Sequence, residues 1–147
     1  MADFGADVEL EEFRAEARAW LKEAFPASLA GKGMQAMQAD EGEGGDLGAD
    51  LDRWKKAIGE KGWATPTWPK EYGGGGLTPQ QARVLQQEMG KAGAFNPLMF
   101  GMGITMVGPT ILYYGTEEQK RKHLPPIIRG EVRWCIGYSE PGAGSDL

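Results

Sequence analysis

Leu77-Thr78-Pro79-Gln80-Gln81-Ala82-Arg83-Val84-Leu85-Gln86-Gln87-Glu88-Met89-Gly90 is the stretch that decides the fold class. Thr78 has the hydroxyl needed to cap a helix, and Pro79 has the backbone angle of a first helical residue. Gln81, three residues after the cap, can reach back to the Thr78 backbone and complete a capping box. Ala82, Leu85, Met89 and Ala92 then fall on one face at helical spacing. The same logic recurs at Thr116-Glu117-Glu118-Gln119, where acids occupy the first turn and Lys120-Arg121-Lys122-His123 the later turns. Upstream, Leu10, Phe13, Ala17, Trp20, Leu21 and Ala24 form an apolar stripe that ends at Pro26, and Leu51, Trp54 and Ile58 form another. Residues 97–114 are almost uncharged and predict a helix buried on all sides, bent at Pro109 and stopped at Gly115. The pattern predicts five helices near 7–25, 49–62, 78–93, 97–114 and 116–128, packed around Trp20, Leu85, Met102 and Leu112. Pro125 and Pro126 are expected to end the last.

Between these segments, residues 27–48 lose periodicity and gather Gly31, Gly33, Gly42, Gly44, Gly45 and Gly48 around acids, which reads as a disordered loop. Residues 63–76 are irregular yet apolar enough to pack as a structured loop. Val132 to Ser139 reads as one strand. A lone strand cannot satisfy its own edges, so its partners are expected in a sheet outside this sequence, with 132–147 poorly anchored without them. The expected architecture is all-α, an orthogonal or up-and-down bundle of about five helices with one terminal β-strand. Residues 1–130 would form the helical domain and 131–147 the start of a truncated β-domain.

Composition excludes several classes. A formal net charge of −5 argues against nucleic acid, whose phosphates demand clustered Lys and Arg. One cysteine rules out an internal disulfide, and one Cys with one His cannot assemble a tetrahedral zinc site. Cys135, between Trp134 and Ile136, reads as a small buried hydrophobe, and His123 as a surface or capping residue. No run of about 20 apolar residues is present to span a membrane, and the first residues lack the basic and apolar regions of a signal peptide. The default location is cytoplasmic.

The segment that carries chemistry is Tyr138-Ser139-Glu140-Pro141-Gly142-Ala143-Gly144-Ser145-Asp146-Leu147. After the predicted strand it supplies a hydroxyl, a proline-fixed turn, three small residues and a second hydroxyl. Such a loop can bring backbone N–H groups close to a phosphate. An ordinary turn capped by Ser and Asp accounts for the same residues. It is neither a Walker loop nor a dinucleotide fingerprint, which require other spacings.

Ser139 to Asp146 resembles the signature of the acyl-CoA dehydrogenases. Gly115-Thr116-Glu117-Glu118-Gln119-Lys120, Leu124-Pro125 and Gly130-Glu131 are similar to that family's last amino-terminal helix and its exit. Trp68-Pro69-Lys70-Glu71-Tyr72-Gly73-Gly74 resembles the loop before its third helix. The resemblance implies FAD as cofactor. Ile136, Tyr138 and Ser139 would then lie beside the isoalloxazine, with Gly144 and Ser145 at the flavin pyrophosphate and Ser145 also touching the acyl-CoA. Glu140 is expected to fix the turn and not to act as a base. The resemblance further implies α,β-dehydrogenation of an acyl thioester, with no catalytic residue in this chain because the usual base belongs to a carboxy-terminal domain. This piece alone is therefore expected to be inactive. A substrate pocket lined partly by 78–93 and 97–114, an electron-transfer flavoprotein or similar acceptor and a homo-oligomer complete the expectation. Related flavin monooxygenases or acyl-CoA oxidases, and a non-catalytic helical assembly subunit, are the rival readings.

Overall fold

The structure, a computed structural model, describes residues 4–39 and 45–144. Among them are six α-helices: α1 (Phe4–Ala24), α2 (Gly33–Ala39), α3 (Gly45–Glu60), α4 (Pro79–Lys91), α5 (Gly108–Tyr114) and α6 (Glu117–Ile128). Short 3-10 turns cover Ala27–Leu29 and Lys70–Tyr72, and a π-turn covers Gly103–Val107.

Both capping boxes form. The Gln81 N–H donates to Thr78 Oγ1 at 3.2 Å and the Thr78 N–H to the Gln81 side chain at 3.0 Å. The matching distances at Thr116 and Gln119 are 3.2 and 2.9 Å. Capping starts α4 and α6 at defined residues, and tertiary packing then orients them.

The core lies between α1, α3 and α4, around Trp54, Leu51, Ile58, Leu85 and Leu29. Trp54 is fully buried and stacks with Trp20 and Phe25, at ring distances of 5.6 and 4.9 Å. Trp20 in turn meets Trp63 edge-on at 4.8 Å. These offset and edge contacts are the arrangements that aromatic quadrupoles favour. A smaller cluster of Tyr72, Leu124 and Ile128, with Trp68, Ile111 and Leu112 against it, joins α5 and α6 to the 63–76 loop.

Among the described residues, one charged side chain is buried. Glu88 on α4 is 2% exposed and takes Lys91 at 2.6 Å, with Arg14 and Arg18 of α1 each at 3.0 Å. Removing a carboxylate from water is costly, and three cationic donors offset that cost here. Its pKa is held down to about 2, first by the Lys91 hydrogen bond and then by Arg18 and Arg14.

Several expectations need correction. Residues 27–48 are not one loop, because α2 forms at Gly33–Ala39 and α3 begins at Gly45. Ala36 is fully buried, and a Cβ on Gly33 would sit 3.1 Å from the Phe95 ring, so tertiary contact organises a stretch whose composition reads as loop. The part at 40–44 lies outside the described residues. Residues 97–114 are not one buried helix. Turns at 97–101 lead into the π-turn and α5, and Phe100, Tyr113 and Tyr114 are 77–79% exposed. Met102, expected in the core, is 39% exposed, and Leu112 is half-buried. Pro125 and Pro126 lie inside α6, which continues to Ile128. Each proline lacks the N–H that would bond back four residues, but Arg121 and Lys122 are exposed and water can satisfy their carbonyls.

The segment from 131 to 139 forms no strand, and among the described residues only an isolated bridge, Glu140 with Ala143, has β character. With no neighbouring strand there is nothing for its backbone to pair with. It is tethered by Trp134, which is half-buried, meets His123 edge-on at 5.8 Å and lies against Gly103, where an added Cβ would be 3.3 Å from the indole. His123 is thus half-buried rather than a plain surface residue. Side chains of an extended chain alternate, so with Trp134 turned inward Cys135 is exposed, contrary to the buried role expected for it.

Three outcomes follow from this packing. Replacing Trp54 by Ala should cost about 3–5 kcal/mol in chemical denaturation, as for other buried Trp truncations. For Glu88, the folded pKa near 2 lies below the ordinary value of 4.5, so the unfolded chain binds more protons between them. Its contribution is complete above about pH 5 and is lost as pH falls toward 2. Glu88→Gln should therefore lower stability by about 1–3 kcal/mol at pH 7, with the gap to wild type closing toward pH 2 in urea melts. Trp134→Ala should release the tether: limited proteolysis should then cut 131–139 faster while leaving the melting temperature of the bundle within a few degrees.

Candidate functional site

A cavity of about 830 Å³ opens between α4 and residues 94–100, with walls that include Trp63, Pro66, Leu85, Met89, Phe95 and Phe100. Its position follows from local constraints. α4 ends when Gly93 adopts φ +66°, a conformation that costs glycine little, and the chain turns back so that the Ala94 N–H donates to Met89 O at 2.8 Å. The Asn96 side chain then donates to Ala64 O at 2.8 Å and accepts from the Leu98 N–H at 3.1 Å. Trp54 Nε1 donates to Phe95 O at 2.8 Å. These bonds fix the 94–98 wall against the core.

The opposite rim belongs to the 61–77 loop. Gly62, at φ +75°, runs so close to the chain at 73–74 that a Cβ would lie 2.7 Å from the Gly73 carbonyl oxygen. Gly75 N–H to Thr65 O (3.1 Å) and Leu77 N–H to Pro66 O (2.8 Å) close the loop. The loop is structured as its composition predicts, and Trp63 and Tyr72 are buried.

Among the described residues, Arg83 is the one charged side chain lining the cavity, and it makes no hydrogen bond or ion pair with any of them. Sequence reading passed over both Arg83 and Asn96. Arg83 is a solitary cation beside an apolar stripe, and Asn96 precedes a proline, so neither stands out until the cavity is seen.

A second cavity, of about 380 Å³, lies between residues 97–104, Ile127 and 132–135. Trp134 lines it, and its indole Nε1 is buried with no partner among the described residues.

The signature loop follows. The Glu140 N–H donates to Ala143 O at 2.8 Å and the Ala143 N–H to Glu140 O at 3.1 Å, closing a tight turn around Pro141 and Gly142. Ile136 and Tyr138 are 44% and 81% exposed, and Ser139 is exposed. Gly144 is half-buried at the end of the turn, and Ser145 lies outside the described residues. The first four of these residues line neither cavity. Ile136, Tyr138 and Ser139 sit on one short exposed segment, apart from the 830 Å³ cavity. Among the described residues, no helix is long and apolar enough to cross a membrane.

Similarity to known proteins agrees with this arrangement. The profile of the family described as "Acyl-CoA dehydrogenase, N-terminal domain" matches residues 7–131. Acyl-CoA dehydrogenase FadE26 of Mycobacterium tuberculosis is 40% identical over 137 residues, covering 93% of this chain and 32% of the relative. Acyl-CoA dehydrogenase IpdE1 of Mycolicibacterium smegmatis is 36% identical over 142 residues, covering 95% and 35%. Among solved structures, the Tcur3481-Tcur3483 steroid ACAD aligns with a TM-score of 0.58 and 39% identity over 95% of this chain and 33% of that one. The ChsE4-ChsE5 complex from Mycobacterium tuberculosis aligns with a TM-score of 0.59 and 36% identity over 94% and 32%. The chain spans about a third of the length of these relatives. By profile, identity and fold, the chain belongs to the acyl-CoA dehydrogenase family and carries the family's amino-terminal helical domain.

Proposed function

We propose that the chain is the amino-terminal portion of an FAD-dependent dehydrogenase that oxidises the α,β bond of an acyl-CoA thioester. The observation that carries this reading is the helical domain matched over 7–131 and followed directly by the loop Ser139–Asp146. Residues 1–130 are the helical domain, and 131–147 begin the β-domain that meets the flavin. In this reading the base and the rest of the flavin site belong to the part of the relatives' length that this chain does not span.

The residues present suit a flavin. The Ser139 hydroxyl is exposed, and the backbone N–H groups of 136–139 have no partner among the described residues, so they are free to bond an external acceptor. In this reading Ile136, Tyr138 and Ser139 border the pyrimidine edge, Gly144 and Ser145 approach the pyrophosphate, and Ser145 also touches the acyl-CoA. FAD bound there would supply the hydride acceptor. The N–H donors at 136–139 would bond the pyrimidine edge and favour negative charge there, and the Glu140–Ala143 turn follows them directly in the chain.

The acyl group enters the cavity between α4 and residues 94–100. A volume of about 830 Å³ is toward the upper end of the usual range for small-molecule sites, about 300–1,000 Å³. That size and the aromatic walls favour a bulky, ring-bearing acyl group, in keeping with the solved relative described as a steroid ACAD. The intact enzyme passes electrons to an electron-transfer flavoprotein and works as an oligomer.

The test is anaerobic titration of the intact natural protein with acyl-CoA thioesters while the flavin spectrum is recorded. Bleaching of the visible flavin band supports the reading, and an unchanged spectrum with every thioester refutes it. In the same protein, Ser145→Ala should weaken both FAD and acyl-CoA by about 1–3 kcal/mol, the range for a hydrogen bond to a charged acceptor, without changing ligand-free thermal stability. Unaltered affinity for both ligands would remove Ser145 from the site.

A further inference from the structure

The cavity beside α4 has a chemical polarity that its apolar walls alone do not require. Its lining side chains are otherwise apolar or neutral: Leu85, Met89, Phe95 and Phe100 supply hydrocarbon and rings, while Thr67 and Gln86 are uncharged. Asn96 is already committed to Ala64 and Leu98. Arg83 alone brings charge, and among the described residues nothing neutralises it. The other cations of the same helix surface are differently placed, since Lys91 pairs with Glu88 at 2.6 Å, together with Arg14 and Arg18 of α1. Glu88 is held by those three cations and does not line the cavity, and among the described residues no carboxylate lines it to take Arg83.

We propose that this cavity binds an apolar body ending in a carboxylate, with the Arg83 guanidinium pairing the carboxylate and the aromatic walls holding the body. The planar guanidinium presents paired N–H donors that match the two oxygens of a carboxylate, a fit that a neutral hydroxyl or amide does not reproduce. This rests on the cavity being the place of the acyl group, and it narrows the substrate class to acyl groups that carry a carboxylate at the end remote from the thioester. Arg83 is then a specificity-determining residue on α4, in a cavity that Ile136, Tyr138 and Ser139 do not line.

The experiment needs neither flavin nor turnover. Ligand-observed NMR titrations of the 147-residue chain use 1-naphthaleneacetate and its uncharged counterpart 1-naphthaleneacetamide, which share one apolar body. The acetate should bind about fivefold more tightly than the amide at low salt, the fold-change that corresponds to a partly exposed ion pair. Arg83→Met, which breaks no internal bond, should abolish that preference while leaving the affinity of the amide unchanged. Gly90→Leu tests the location: Gly90 lines the cavity and a Cβ there meets nothing within 4 Å, so the added side chain fills space without displacing backbone. It should weaken both ligands. Equal affinities in the wild type, a preference that survives Arg83→Met, or indifference of both ligands to Gly90→Leu would each overturn the proposal. None of those results touches the flavin dehydrogenase reading, which is decided by flavin bleaching alone.

Discussion

The hydrogen bond from the buried Trp54 indole to the Phe95 carbonyl joins the two halves of the molecule. Trp54 is locked from below by Trp20 and Phe25, so its N–H points from the deepest part of the core to a backbone oxygen in an otherwise irregular stretch. A buried indole N–H without an acceptor would be costly, and a loop carbonyl in that position would otherwise need water. One bond meets both needs. It also places Phe95, whose ring forms part of the cavity wall and covers Gly33 at the start of α2. The shape of the cavity thus depends on a core residue that does not line it.

The parts of the fold legible in the sequence are those whose causes are local. Thr78 with Gln81 and Thr116 with Gln119 sit three residues apart, and a capping box needs nothing else. The stripe through Phe13, Ala17 and Leu21 reads correctly because one face of α1 packs against a continuous apolar surface, made by α4 together with Trp54 and Trp63. α2 was not legible, since its warrant is the burial of Ala36 and the Phe95 ring over Gly33, a contact between residues some 60 positions apart. Residues 97–114 mislead for the opposite reason. Their uniform apolarity signals a surface removed from water, and sequence cannot say by which neighbour; here α6 and the 63–76 loop cover one side, while Met106 and Tyr113 stay exposed.

The candidate site divides along the same line. The loop from Ser139 to Asp146 is contiguous and announces itself as a motif, so it could be found by reading. The cavity is assembled from 63–67, 79–90 and 94–100, and no local pattern joins these pieces. Glu88 is a similar case. In sequence it is one of three polar residues, Gln86-Gln87-Glu88, on an amphipathic helix, and only the approach of Arg14 and Arg18 explains why a carboxylate can be enclosed there. Cys135 and Trp134 show the limit of strand logic: without a sheet, which neighbour turns inward is decided by the glycine gap that admits the larger ring.

The π-turn at Gly103–Val107, closed by the Gly108 N–H on Gly103 O, sets the angular register of everything after it. It holds one residue more than an α-helical turn, and one residue in an α-helix corresponds to about 100° of rotation. That offset turns Ile111 and Leu112 toward Tyr72 and Leu124 while Tyr113 and Tyr114 face outward. Gly108 makes the geometry possible, because a Cβ there would fall 2.1 Å from the Trp68 ring. A chain shortened by one residue within 103–107 would keep its composition and its apolar character. It would nevertheless present a different side of α5 to α6, so length in this turn, more than residue identity, governs which surface the helix shows.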